Sequence, residues 1–373
     1  MKKRVAVLGA SGSIGKSSLD VLNSDRDNFD VVLLSAHTKH LSLEKISADW
    51  PSARCVLCAQ DTGKKKLLDA IRDVRADITI NGISGSAGLE PSIAAIESGS
   101  NLALAKKETI VMAAPLVFRL AAEKKIKIIP VDSEHSAIFN LIEAFGNQNA
   151  DEVILTASGG PFRSLTLKQM ENVNPDAALA HPTWNMGPKI SIDSATMANK
   201  GLEIIEAAYL FNMPVEKIKV TIHPQSIVHS MLRLKNGAVY AQLSRPDMRH
   251  PIHNALYWPQ VAHCGLETLD FDSLTLEFQK PDFKKFPMLG YAQKATGLGG
   301  LYPCALNAAN EKAVSAFLEC RIGFLDIPRI VEYVLNRDWS GTIKSLETVL
   351  KADEDARCMA QSYIKKITLK ERV

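Results

Sequence analysis

The 373-residue chain carries no block of like charge: 44 Lys and Arg residues stand against 41 Asp and Glu, a formal charge of +3. Without a basic patch nothing demands a nucleic acid or an anionic membrane as partner, and small-molecule chemistry is the expectation. Cysteine is scarce. The six residues Cys55, Cys58, Cys264, Cys304, Cys320 and Cys358 follow no regular spacing, and a large chain needs no disulfide framework, so a reducing cytoplasm is expected. Long apolar runs are also missing. A bilayer takes about 20 such residues, whereas the best candidate, Thr109 to Phe118, is interrupted by Pro115. Met1-Lys2-Lys3-Arg4 followed by Val5 to Leu8 imitates a leader peptide, but Gly9 cuts the apolar run short, and the segment reads as a strand. Internal repeats and low-complexity tracts are lacking too. Hydrophobic residues at 46% and charged residues at 23% match soluble globular proteins and exclude disordered and fibrous classes.

What is present is alternation. Short β-branched runs at Val5–Leu8, Val31–Ala36, Cys55–Cys58, Ile78–Asn81, Leu102–Ala105 and Ile126–Val131 are separated by amphipathic or Ala-rich stretches. That pattern predicts βαβ units on a parallel sheet. The boundaries read from composition are a βαβ domain over 1–130, a domain over 131–258 rich in polar loops of the kind that carry a site, a Pro-containing linker over 259–287, and a helical domain over 288–373. Helical periodicity in the last is carried by Ala308, Val314, Phe317 and Leu318 around a polar face. The fold class is therefore α/β, with a Rossmann-like first domain and a helical last one.

The first strand runs into Gly9-Ala10-Ser11-Gly12-Ser13-Ile14-Gly15 and then a helix. Strand, glycine turn and helix form the setting in which backbone N–H groups and a helix N-terminus hold a pyrophosphate. The second strand ends in His37-Thr38-Lys39 with no carboxylate. An acid there would bind the ribose hydroxyls of NAD; hydroxyl and cationic donors suit a 2′-phosphate, so NADPH is expected over NADH.

Asp132-Ser133-Glu134-His135 follows the sixth strand. Read as extended chain, Asp132 and Glu134 face one side and can share a cation; read as a helix start, Asp132 or Ser133 is a cap. Both readings stand on these residues alone. Further on, a helix beginning near Met197 puts Asn199 and Glu203 on one face with Lys200 beside them. An all-oxygen set of Asp132, Glu134 and Glu203 suits Mg²⁺ or Mn²⁺ rather than zinc. Ser158-Gly159-Gly160, Ser194, Asn199 and Lys200 resemble a phosphate cradle. The segment from His181 to Lys189 is too polar and too broken by Pro and Gly for a core, which suggests a lid loop covered by an exposed Trp184.

These segments resemble the 1-deoxy-D-xylulose 5-phosphate reductoisomerase family over nearly the whole chain. The carriers are GASGSIG at 9–15, ALAKKE at 103–108, PVDSEHSAIF at 130–139, SGGPFR at 158–163, HPTWNMGPKISIDSATMANKGLE at 181–203, HPQSIVHSM at 223–231, PDMR at 246–249 and LNAANE at 306–311. The long central motif is the most specific of them.

The resemblance implies a metal- and NADPH-dependent rearrangement of 1-deoxy-D-xylulose 5-phosphate by retro-aldol cleavage and rejoining. Reduction then gives 2-C-methyl-D-erythritol 4-phosphate, in non-mevalonate isoprenoid biosynthesis, by a homodimeric enzyme. Asp132, Glu134 and Glu203 would ligate the metal. Substrate would meet Lys107, Ser133, Glu134, Ser158, His181, Trp184, Ser194, Asn199, Lys200 and Glu203, with Lys107, Glu134, His181 and Lys200 in catalytic roles. Cofactor contacts would come from Gly9, Ser11, Gly12, Ser13, Ile14, Gly15, His37, Thr38, Lys39, Lys106, Glu108 and Gly187. The chain departs from the family where Ser11 replaces threonine, where Lys106 replaces the asparagine of A-N-K-E, and where the 37–39 loop lacks the usual glycine-lysine-asparagine run. Two alternatives compete: a semialdehyde-dehydrogenase-type oxidoreductase, which needs an activated cysteine, and an NADPH-binding sensor without turnover.

Overall fold

The computed structural model describes residues 1–59, 62–184 and 186–370. In chain order the first elements are β1 (Lys3–Leu8), α1 (Ser13–Ser24), β2 (Phe29–Ala36), α2 (His40–Asp49), β3 (Arg54–Leu57), α3 (Gly63–Val74), β4 (Ile78–Asn81), α4 (Leu89–Glu97), β5 (Asn101–Leu104), α5 (Glu108–Lys124), β6 (Ile128–Pro130) and α6 (Ser133–Phe145). Then come β7 (Ala150–Ala157), α7 (Leu167–Met170), α8 (Pro175–Leu179), α9 (Pro188–Ala195), α10 (Ala198–Leu210), β8 (Ile218–Ile222), β9 (Val228–Leu234) and β10 (Val239–Leu243). The last are α11 (Arg249–Tyr257), α12 (Met288–Leu298), α13 (Tyr302–Leu318), α14 (Asp326–Leu335) and α15 (Leu346–Lys370). No helix among the described residues is long and apolar enough to cross a membrane.

The chain divides into two compact units. The first comprises Met1–Thr109, Val117–Phe139 and Asp247–Glu267. Its six-stranded sheet runs β3-β2-β1-β4-β5-β6, parallel throughout, as the alternation predicted. Val5 to Leu8 are each 0% exposed, because a central parallel strand is covered on both faces and must be apolar without interruption. The strand order reverses at β1, between β2 and β4, and the crevice at the carboxyl ends there is where open α/β sheets bind ligands. α11 lies far along the chain, yet its Ile252, Ala255 and Leu256 join the core formed by Val5, Leu22 and Leu34.

The second unit comprises Ile110–Leu116, Asn140–Pro246 and Thr268–Val373. Its four-stranded sheet runs β10-β9-β7-β8, with β7 parallel to β8 and antiparallel to β9. α14 buries Ile327, Ile330, Val331, Val334 and Leu335, the stripe of an amphipathic helix. α13 differs from the expected polar-faced helix: residues from Pro303 to Phe317 are buried nearly all round, since α9, α12, α14 and α15 all pack against it. α10 approaches α12 closely because position 201 is glycine; a Cβ there would lie 3.0 Å from the Met288 carbonyl oxygen.

The first glycine turn has a similar steric demand. Gly9 adopts φ +81°, and a Cβ on Gly15 would fall 2.4 Å from the Gly9 oxygen and 2.5 Å from the Ala10 Cα. Backbone on both sides leaves no flexible group to yield. Gly15→Ala is therefore expected to cost about 1–3 kcal/mol of the first unit's stability, whereas Gly187→Ala, with open space around it, should leave the urea midpoint unchanged.

Candidate active site

In the first unit β1 ends at Leu8 and the turn is closed by Gly12 N–H donating to the Gly9 carbonyl at 2.9 Å. Ser35 of β2 fixes the turn from the side, its hydroxyl accepting from Gly9 N–H at 3.2 Å and its carbonyl from Ala10 N–H at 2.8 Å. α1 then starts at Ser13 with no side-chain cap and no acidic residue in its first turn. An N-terminus without a capping oxygen or a nearby negative charge suits an anion. Gly12 and Ser13 are exposed there while Ser11, Ile14 and Gly15 are buried. His37, Thr38 and Lys39 lie exposed just beyond the end of β2, held by Ala59 N–H donating to the His37 carbonyl at 3.0 Å.

Lys106, Lys107 and Glu108 leave the end of β5 and Asp132 leaves the end of β6, both at carboxyl ends of the sheet. Lys107, 6% exposed, donates from Nζ to Asp132 Oδ2 at 2.9 Å. The extended-chain argument for Asp132 and Glu134 does not hold locally: Ser133 opens α6, and Asp132 Oδ1 accepts from the Glu134 and His135 N–H groups at 3.2 and 3.5 Å. Asp132 is thus a helix cap and an ion-pair partner at once. Ser133 Oγ donates to Glu134 Oε2 at 2.5 Å. The fully buried His135 places Nδ1 3.3 Å from Asp132 Oδ1, a neighbour whose only sequence signal is its spacing of three from the aspartate.

In the second unit a left-handed Met197, φ 61°, separates α9 from α10. The break sets Asn199, Lys200 and Glu203 in the first turns of a new helix. Glu203 is 0% exposed and Lys200 3%; Asn199 Nδ2 donates to Glu203 Oε1 at 2.6 Å, and the Lys200 ammonium pairs with Glu203 Oε2. Gly159 and Gly160 both take positive φ, and a Cβ at Gly160 would lie 2.5 Å from the Ser194 carbonyl, so the Ser158 turn rests against the end of α9.

His181 has a fixed tautomer. Its Nδ1 accepts from the Thr183 and Trp184 N–H groups at 3.1 and 3.0 Å, so the ring proton sits on Nε2 and donates to Ser158 Oγ at 3.0 Å. Ser158 Oγ also accepts from Gly160 N–H at 3.2 Å. Its own proton is left to point elsewhere. Trp184 is half-buried rather than exposed, Gly187 is exposed, and Asn185, within the expected lid, lies outside the described residues.

Three of the cysteines are unsuited to act as nucleophiles. Burial pushes the thiols of Cys55, Cys58 and Cys304 up from their ordinary value, opposite to activation. Comparison with known proteins agrees. A model described as the 1-deoxy-D-xylulose 5-phosphate reductoisomerase C-terminal domain matches residues 128–211, a DXP reductoisomerase C-terminal domain model matches 243–359, and the 1-deoxy-D-xylulose 5-phosphate reductoisomerase model matches 5–74 and 56–114. The chain belongs to the 1-deoxy-D-xylulose 5-phosphate reductoisomerase family. It is 47% identical to the reductoisomerase of Treponema denticola, with 97% of each chain covered, and 45% identical to that of Chlorobium chlorochromatii, with 97% of this chain and 100% of the relative covered. Among solved structures it resembles the Zymomonas mobilis reductoisomerase in complex with NADPH, at TM-score 0.91, 40% identity and coverage of 98% and 99%. It also resembles a DOX-P reductoisomerase in complex with NADPH, fosmidomycin and magnesium, at TM-score 0.92, 36% identity and the same coverage.

Burial lowers the His181 pKa from its ordinary value, so the neutral ring and the loop bonds it accepts are fully present above that ordinary value. They are lost as pH falls through the lowered folded value, when a proton on Nδ1 would face two N–H donors. Trp184 emission, taken as the difference between the parent and Trp184→Phe, should shift to the red on acidification and lose that pH dependence in His181→Leu.

Proposed function

We propose that this reductoisomerase-family chain converts 1-deoxy-D-xylulose 5-phosphate to 2-C-methyl-D-erythritol 4-phosphate with NADPH and a divalent cation, Mg²⁺ or Mn²⁺, held by Asp132, Glu134 and Glu203. The observation that carries the reading is Glu203, a carboxylate with no exposed surface placed between an amide and an ammonium. A buried acid so costly to desolvate is retained where it has a charge to meet. The oxygens of the three acids fit a hard cation. The NADPH and magnesium bound by the solved relatives support these two as the cofactors.

When bound, the cation supplies Lewis acidity to adjacent substrate oxygens, and NADPH supplies the reducing equivalent. The chain's own residues do the rest. Ser158, whose hydroxyl already accepts from His181 and Gly160, donates to phosphate together with Ser194, Asn199 and Lys200. Anchoring that phosphate keeps the fragment of a cleaved sugar from diffusing away before it rejoins. The His181–Gly187 loop, with Trp184, excludes water while the C–C bond is open. The exposed N-terminus of α1 and the His37–Lys39 loop take the pyrophosphate and 2′-phosphate of NADPH, with Lys106, Glu108 and Gly187 completing the cofactor contacts. The homodimer implied by the resemblance and the reducing cytoplasm expected from the scarce cysteines belong to the same proposal.

NADPH oxidation followed by absorbance is expected with 1-deoxy-D-xylulose 5-phosphate, to depend on added Mg²⁺ or Mn²⁺, and to proceed poorly with NADH. A folded, NADPH-binding protein that oxidises nothing would favour the sensor instead. Glu203→Gln sets an NH₂ group against Asn199 or Lys200, donor against donor, and should lower kcat by at least about 100-fold while NADPH still quenches or shifts protein fluorescence as in the parent.

A further inference from the structure

α9 is eight residues long, too short to hold its position unaided, and one buried acid fastens it. Asp193 is 1% exposed. Its Oδ2 lies 2.8 Å from the Lys189 ammonium, one turn earlier, and its Oδ1 accepts from Asn310 Nδ2 of α13 at 2.7 Å. Asn310 is 0% exposed, and its amide oxygen has no hydrogen-bond partner among the described residues. Asp193 therefore supplies the bond that orients that amide, at the centre of the helical layer.

The two ends of α9 explain what the fastening serves. Lys189 stands two residues after Gly187, where the His181–Gly187 loop enters the helix. Ser194 directly follows Asp193, and the Gly160 backbone is packed on the Ser194 carbonyl. Displacing α9 would move the loop anchor, the Ser194 hydroxyl and the support under the Ser158 turn together.

We propose that Asp193 is a positioning residue, which through Lys189 holds the end of the loop and through Asn310 holds Ser194 and the Ser158 turn, so that the substrate phosphate meets a preformed cradle. The proposal rests on the reading of Ser158 and Ser194 as phosphate ligands. Its effect belongs on substrate affinity, since Asp193 is committed to Lys189 and Asn310.

The test is steady-state kinetics of the full chain with 1-deoxy-D-xylulose 5-phosphate, NADPH and Mg²⁺ for Asp193→Asn, Lys189→Met, the double variant and Ser194→Ala. Asp193→Asn keeps the acceptor for Asn310 and removes the charge facing Lys189. Each single change at 193 or 189 should raise the substrate KM about tenfold, with kcat within about threefold and the NADPH KM unchanged. The double variant, with no charge left on either side, should be no worse than the worse single one. A substrate KM within about twofold of the parent in the folded variants, while Ser194→Ala raises it, would show Asp193 to be structural only and overturn the proposal. A KM unmoved in Ser194→Ala as well would remove the phosphate reading of α9, and the proposal with it. If Asp193→Asn does not fold, Lys189→Met, on a side chain 25% exposed, is judged by the same criterion.

Discussion

A carboxylate with no surface exposed to water must find positive charge within the fold, because leaving it unmatched costs several kcal/mol. Glu203 is that group, and the second unit is built around its needs. Lys200 and Asn199 reach it only because α10 starts afresh at Ala198, and α10 starts there only because Met197 takes a left-handed conformation that ends α9. Gly201, between Lys200 and Glu203, lets α12 close over the helix. The same few residues thus serve charge compensation, helix termination and packing.

The first unit was largely legible from sequence. Val5–Leu8, Ile78–Asn81 and their neighbours announce buried parallel strands by uninterrupted apolar runs, and the glycine turn announces the first βα connection. The helical end was legible at α14, whose apolar residues recur at helical spacing. α13 was misread as polar-faced because helices packed on every side leave no periodic stripe to detect. Nor does any local pattern in 247–267 reveal that α11 shares a core with Leu22 and Leu34, since that packing depends on residues more than 200 positions away.

The candidate site was legible in its residue types and less so in its geometry. Glu203, Asn199 and Lys200 sit on one helix, and helical spacing alone brings them together. Asp132 and Glu134 were less tractable: a strand end and a helix start offer the same residues different geometries, and here the helix begins at once, with Asp132 as its cap. The tautomer of His181 was beyond sequence reasoning, because it is set by two backbone N–H groups of the loop that follows. The Asp193–Asn310 bond was hidden for a plainer reason, a separation of 117 positions.

That separation has a consequence for how the protein is made. A chain grows from its N-terminus and folds as its parts emerge, so all six strands of the first sheet, complete by Pro130, are available long before α13 exists. Ser194 and the Ser158 turn are synthesised early, yet the amide that secures α9, the helix that carries Ser194, is added only at residue 310. The nascent chain can therefore hold both sheets, the second complete by Leu243, while the residue that secures α9 has yet to be added.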